Sequence, residues 1–188
     1  MSKSKIFTRE LQFIKNDNLR DFAKEMIERL PDYFFEIPAS STGKYHPNYA
    51  QNKGGLVRHT QASVRIAMEL FNNNTIQNFI DIEKDIIIVS LLLHDGLKNG
   101  LNHGKYTITK HPLEMVNFIH EQKDLISTIK EEDLKDICLC ISSHMGQWNK
   151  DYRTNQVVLP TPKYEVEKFV HLCDYLASRK LIEINFEV

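Results

Sequence analysis

Neither sign of charge is in excess in this chain: 24 Lys and Arg stand against 25 Asp and Glu, a formal net charge of −1. That balance removes the global signature of a nucleic-acid or membrane binder. Cysteine is sparse. Cys138, Cys140 and Cys173 are an odd number with no C-x-x-C spacing. They exclude a disulfide framework and a zinc-thiolate site, and they read as buried thiols in a reducing compartment. The opening MSKSKIFTREL has no apolar signal core. The longest apolar stretch, Ile86 to Leu93, is eight residues and includes a serine, whereas a membrane span needs about twenty. No membrane association and a cytoplasmic location are therefore expected. Low-complexity segments and repeats of solenoid length are also missing.

What remains is an ordinary globular composition over 188 residues, 41% of them hydrophobic. This suits a single domain covering 1–188, which can bury roughly 70% of its unfolded surface. One count stands out: there are eight histidines. Histidine is the commonest metal ligand and the acid-base residue of neutral pH.

The apolar periodicity is helical. Leu19, Phe22, Met26, Ile27 and Leu30 share a face, and Pro31 stops the run. Residues 31–54 then read as a long loop with three prolines, Gly43 and the pair Gly54-Gly55. A helix is expected from Leu56 to Phe71. Another, capped by Asp81 and running to His94, is apolar nearly all round and should be the central one. His111-Pro112 reads as an N-cap followed by proline at the first helical position. Further helices are expected from Glu131 to Met145 and from Thr161-Pro162 onward. Residues 181–188 alternate and suit a short strand or extended arm. The expected fold is all-α, a helical bundle with two long loops.

The histidines are placed within this pattern. His59, His94-Asp95, His111, His144 and Asp174 come from five helices, each on a core-facing position or at a helix end. A buried carboxylate such as Asp95 needs a partner or a metal. Four neutral imidazoles and two carboxylates suit two divalent transition ions. Such a pair activates a bridging water and clamps phosphoryl oxygens.

The order His59, His94-Asp95, Asp174 resembles the HD-domain superfamily of metal-dependent phosphohydrolases. GGLVRHT (54–60) is similar to its first-histidine segment, and LLLHDGLK (91–98) to its HD-x-x-K segment. ISSHMGQW (141–148) and PTPKYEVEKFVHLCDYL (160–176) resemble later segments of the HD part of bacterial 3′→5′ exoribonucleases. The resemblance spans about residues 54–180, the expected metal-binding core, behind a helical segment at 1–30. It implies that His59, His94, Asp95 and Asp174 bind one metal. Asp95 then bridges to a second metal held by His111 and His144. Mn, Fe, Co, Ni, Zn or Mg would serve. Two departures stand out. Met145 replaces the second histidine of a pair found in some binuclear relatives, and only about 50 residues precede the HD-like part, too few for the separate nucleic-acid-binding domain of the exoribonucleases.

The implied activity is hydrolysis of a phosphoester in a nucleotide, cyclic nucleotide or short oligonucleotide, with Asp95 and Lys98 as catalytic groups. A small phosphorylated substrate is expected rather than a long nucleic acid. No oligomeric state is implied. Lys98 is the candidate phosphate ligand. Arg58, beside His59, could rim the pocket. Ser41, Lys44 and His46 lie in a loop rich in hydroxyls that could cradle a phosphate. His103 could serve a leaving group, His171 could orient a ligand, and Trp148 could stack on a base. Two rival readings share the ligand order or dispense with chemistry: a mixed-valent di-iron oxygenase of the HD fold, and a non-catalytic nucleotide-binding module.

Overall fold

A computed structural model describes residues 2–41, 43 and 46–186. Eight α-helices are found among them: α1 Thr8–Leu11, α2 Asp17–Arg29, α3 Gly55–Phe71, α4 Asp81–Leu93, α5 His111–Glu121, α6 Lys123–Ile126, α7 Glu131–Ser143 and α8 Glu165–Ala177. No strand occurs among the described residues, only an isolated bridge between Lys150 and Val157. The all-α expectation holds.

Helix α4 is the hub. Every residue from Asp85 to Leu93 is buried, and the helix packs against α2, α3, α7 and α8. Its all-round apolarity leaves no face for water, so it must be enclosed. Its two buried polar residues are satisfied. Ser90 donates its hydroxyl to the carbonyl of Ile86 at 2.7 Å. Asp85 accepts from the amides of Lys15 and Asn16 at 2.9 and 2.8 Å, which fastens the start of α2 to the hub. The Asn16 side chain caps α2 by accepting from the amide of Leu19 at 3.1 Å. The buried aliphatic and aromatic residues of all the long helices merge into one cluster. The three cysteines are free and buried, and burial pushes the Cys138 thiol up to about 11.

Several boundaries differ from expectation for local reasons. α8 starts at Glu165, not at Thr161-Pro162. Glu167 reaches back to accept from the amide of Lys163 at 3.2 Å and from the hydroxyl of Ser143 at 3.0 Å, so the chain before it stays extended. Asp81 is the first residue of α4 rather than its cap, and Glu83 accepts the Ile80 amide instead, at 2.9 Å. His111 likewise opens α5 as a helical residue, and α7 ends two residues before Met145. Over its described residues, 181–186, the tail is an arm and not a strand. Arg65 donates to the Asn185 carbonyl at 3.0 Å and covers the Phe186 ring at 4.4 Å.

The long loop is pinned where it meets α3. Ala39 donates to the Ala50 carbonyl and Leu56 to the Ile37 carbonyl, both at 3.0 Å. Gly54 sits at φ +72°, which favours glycine, and Gly55 sits against the backbone. A Cβ on Gly55 would lie 2.2 Å from the Ala50 oxygen and 3.0 Å from the Pro38 Cα. Neither atom belongs to a side chain that can rotate away. Gly55→Ala is therefore expected to cost about 3 kcal/mol, which thermal melts would read as a Tm lower by roughly 6–12 °C. An unchanged Tm would mean that this crossing is not held as described.

Candidate metal centre

The six chemistry-bearing residues converge from five helices. His59 lies on α3, His94 closes α4 with Asp95 next to it, His111 opens α5, His144 closes α7, and Asp174 lies on α8. The four histidines and Asp95 are almost fully buried, while the Asp174 side chain keeps 18% exposure. Helix ends explain three of the placements. The last carbonyls of a helix have no intrahelical donor. His94 donates from Nδ1 to the Leu91 carbonyl at 2.7 Å, and His144 from Nδ1 to the Ile141 carbonyl at 2.7 Å. His111 makes the same bond to the Ile108 carbonyl at 2.8 Å in the turn before α5. A carbonyl can only accept, so Nδ1 carries the proton in all three rings. Nε2 points inward in each, and a ring that is neutral offers a lone pair there.

The consequence is a crowd of ring nitrogens and carboxylate oxygens. The Nε2 atoms of His111 and His144 face each other at 3.3 Å. Asp95 Oδ1 lies 3.0 Å from His111 Nε2 and 3.8 Å from His144 Nε2. Its other oxygen, Oδ2, lies 3.5 Å from His94 Nε2 and 3.8 Å from His59 Nε2. Asp174 Oδ1 stands 2.9 Å from His59 Nε2 and 3.5 Å from His94 Nε2. Asp95 thus turns one oxygen to each pair of histidines. His94 Nε2 and Asp95 Oδ1 are buried with no hydrogen-bond partner. Such groups are costly unless a donor or a cation satisfies them. The cluster contains three overlapping groups able to hold a metal ion: His59, His94 and Asp95; His94, His144 and Asp174; and Asp95, His111 and His144.

Electrostatics follow from the crowding. Burial raises the Asp95 carboxyl, but Lys98, His94 and His111 outweigh it and leave it well below the usual carboxylate range. Asp174 is also held well below that range, because the His59 bond and the nearby His94 ring outweigh its burial penalty. Burial, His94 and His111 push His144 down to about 3, so its ring is neutral and ready to donate its lone pair. His94 is raised, since Asp95 and Asp174 overcome its burial.

A cleft of about 470 Å³ opens onto this cluster and reaches Asp95, His111, His144 and Asp174. Lys98 lines it, with its ammonium ion-paired to Asp95 Oδ2. Ser41, His46 and Trp148 also line it, as the sequence suggested. His46 rests edge-on against His59 with ring centres 5.2 Å apart. Burial, His59 and Lys98 push it down to about 3, so it meets the cleft uncharged. His171 holds the backbone at His144: its Nδ1 donates to the His144 carbonyl at 2.7 Å.

Two expected substrate residues are not in the cleft. Arg58 gives its guanidinium to the carbonyls of Tyr49, Gln51 and Lys53, which pins the loop before α3 instead of facing a ligand. The nearby carbonyls of a tight turn, lacking helical donors, are what draw it there. His103 is exposed and stacks on Tyr33 at 4.5 Å, outside the cleft. Lys44 lies outside the described residues. Conversely, Thr107, Tyr175, Ser178 and Arg179 line the cleft and were not singled out from the sequence. The last three follow Asp174 within a turn and a half, so the position of Asp174 on α8 was the available signal.

Compared with family models, with curated proteins and with solved structures, the chain shows no match to any of the three. No helix is long and apolar enough to cross a membrane among the described residues.

Proposed function

We propose that this protein is a metal-dependent phosphohydrolase of the HD type, acting on a phosphoester of a nucleotide, cyclic nucleotide or short oligonucleotide. The observation that carries the reading is the convergence of the inward Nε2 atoms of His111 and His144, joined through Asp95 to His59 and His94. A divalent cation would satisfy these nitrogens and carboxylate oxygens together while the Nδ1 bonds hold the rings. His59, His94, Asp95 and Asp174 would hold one divalent ion, and Asp95, His111 and His144 a second. When bound, two such ions activate a water and neutralise charge on a phosphoryl group.

The chain's own residues supply the rest. Asp95 is ionised across the neutral pH range and can bridge without first losing a proton. Lys98, three residues on, places a compact cation at the cleft wall where a phosphoryl oxygen would sit. The carbonyl bonds to Nδ1 keep three ligand rings from rotating, and His171 steadies the backbone of His144. Lys98 favours hydrolysis over an oxygenase, because a cation at the cleft suits a phosphorylated substrate.

Elemental analysis of the purified protein, joined to a screen of nucleoside mono-, di- and triphosphates, cyclic nucleotides and short oligonucleotides, tests the proposal. The expected outcome is about two transition ions per chain and release of phosphate or a nucleotide from at least one class. Iron with oxygen-dependent substrate loss, or a metal-loaded protein that binds nucleotides without turnover, would overturn it.

A further inference from the structure

The far wall of the cleft carries a cation that the proposed chemistry does not use. Arg179 follows the end of α8 and lines the cleft with Ser178, Tyr175 and Trp148. Its guanidinium donates to the Ser178 hydroxyl at 2.7 and 3.1 Å. Its flat face lies 4.4 Å from the centre of the Tyr175 ring and 6.0 Å from that of Trp148. Those two rings stack on each other at 5.7 Å and 15°. No carboxylate among the described residues forms an ion pair with Arg179, whereas Lys98 is already paired with Asp95. Stacking and a single hydroxyl fix the guanidinium in place and leave most of its five donors unused. A preorganised fork of this kind matches an anionic oxygen pair.

We infer that Arg179, held by Ser178, Tyr175 and Trp148, is a binding subsite for a second phosphate of the substrate, distinct from the phosphate at the metal cluster. The inference rests on the phosphohydrolase reading for what occupies the cluster. Arg179 lies past the end of α8 and lines the same cleft as Asp174. A substrate with phosphates at two positions of one sugar would offer one to the cluster and one to Arg179. The substrate class is then a nucleoside bearing two phosphoryl groups, or the end of a short oligonucleotide.

Trp148 is the only tryptophan in the chain, so its emission reads this subsite directly. The full chain loaded with Mn would be titrated with adenosine 5′-monophosphate and with adenosine 3′,5′-bisphosphate. Wild type should bind the bisphosphate roughly tenfold or more tightly than the monophosphate. Arg179→Ala should remove that preference while Mn content and monophosphate binding stay unchanged, and Arg179→Lys should restore part of it. A merely structural arginine would weaken both ligands alike. Equal binding of the two ligands by wild type, no binding of either, or a preference that survives in Arg179→Ala would overturn the subsite. Hydrolysis without the preference would sink the subsite and keep the phosphohydrolase reading. The preference without hydrolysis of any phosphoester would do the reverse.

Discussion

Asp95→Asn is expected to leave a folded protein that holds less than one transition ion per chain and turns substrate over about 1,000-fold more slowly or worse. The amide keeps the shape of the carboxylate but changes its chemistry in three ways. It removes one negative charge from the cluster. It replaces one of the two oxygens, which now face different histidine pairs, with a group that cannot ligate. It also deprives Lys98 of its ion partner. Loss of one member of a buried pair commonly costs about 3–5 kcal/mol. Here part of that cost is offset, because the new amide can donate toward the neutral ring of His144. Helix content by circular dichroism should therefore match wild type. Inductively coupled plasma analysis would read the metal, and a phosphoester assay the rate. Full activity in this variant would sink the mechanism.

Stripping the metal is expected to have the second large effect, this time on stability. The inward nitrogens and the two carboxylates crowd together in a nearly dry interior, and a bound cation would satisfy them at once. Free metal at a thousand times its dissociation constant would contribute about 4 kcal/mol. For a chain of this size that corresponds to a Tm lower by roughly 8–16 °C after chelation. The loss should be recovered on adding Mn or Zn back. Hydrogen exchange should concentrate the change at the ends of α4 and α7 and the start of α5, where the ligands sit. Identical melting of the chelated and metal-loaded protein would show that these histidines are satisfied without an ion.

The legible parts of the fold were those set by local spacing. The face formed by Leu19, Phe22, Met26 and Ile27 is buried on α2, and the all-round apolar run 86–93 is the hub. The six histidine and aspartate positions could also be picked out, since polar chemistry on core-facing positions or at the ends of helices is conspicuous. The start of α8 was misplaced because Thr161-Pro162 is a good local opening, whereas Glu167 and Ser143 from another helix decide the true one. Arg58 and His103 were misjudged for a related reason. A side chain next to a ligand in sequence can be claimed by any acceptor or ring within reach, here the carbonyls of the 49–53 turn and the face of Tyr33.

By itself, the amino-acid sequence determined that the chain would be helical, which helix would be central, and which residues bring metal-binding chemistry. These follow from periodicity and residue type, which act over one or two turns. Only the tertiary structure decided that Asp95 divides its oxygens between two histidine pairs, that three imidazoles lock their tautomers on carbonyls, and that Arg179 joins the same cleft. Those features depend on how helices far apart in the chain are packed. No local spacing encodes the few ångströms that separate lone pairs left facing one another from groups satisfied apart.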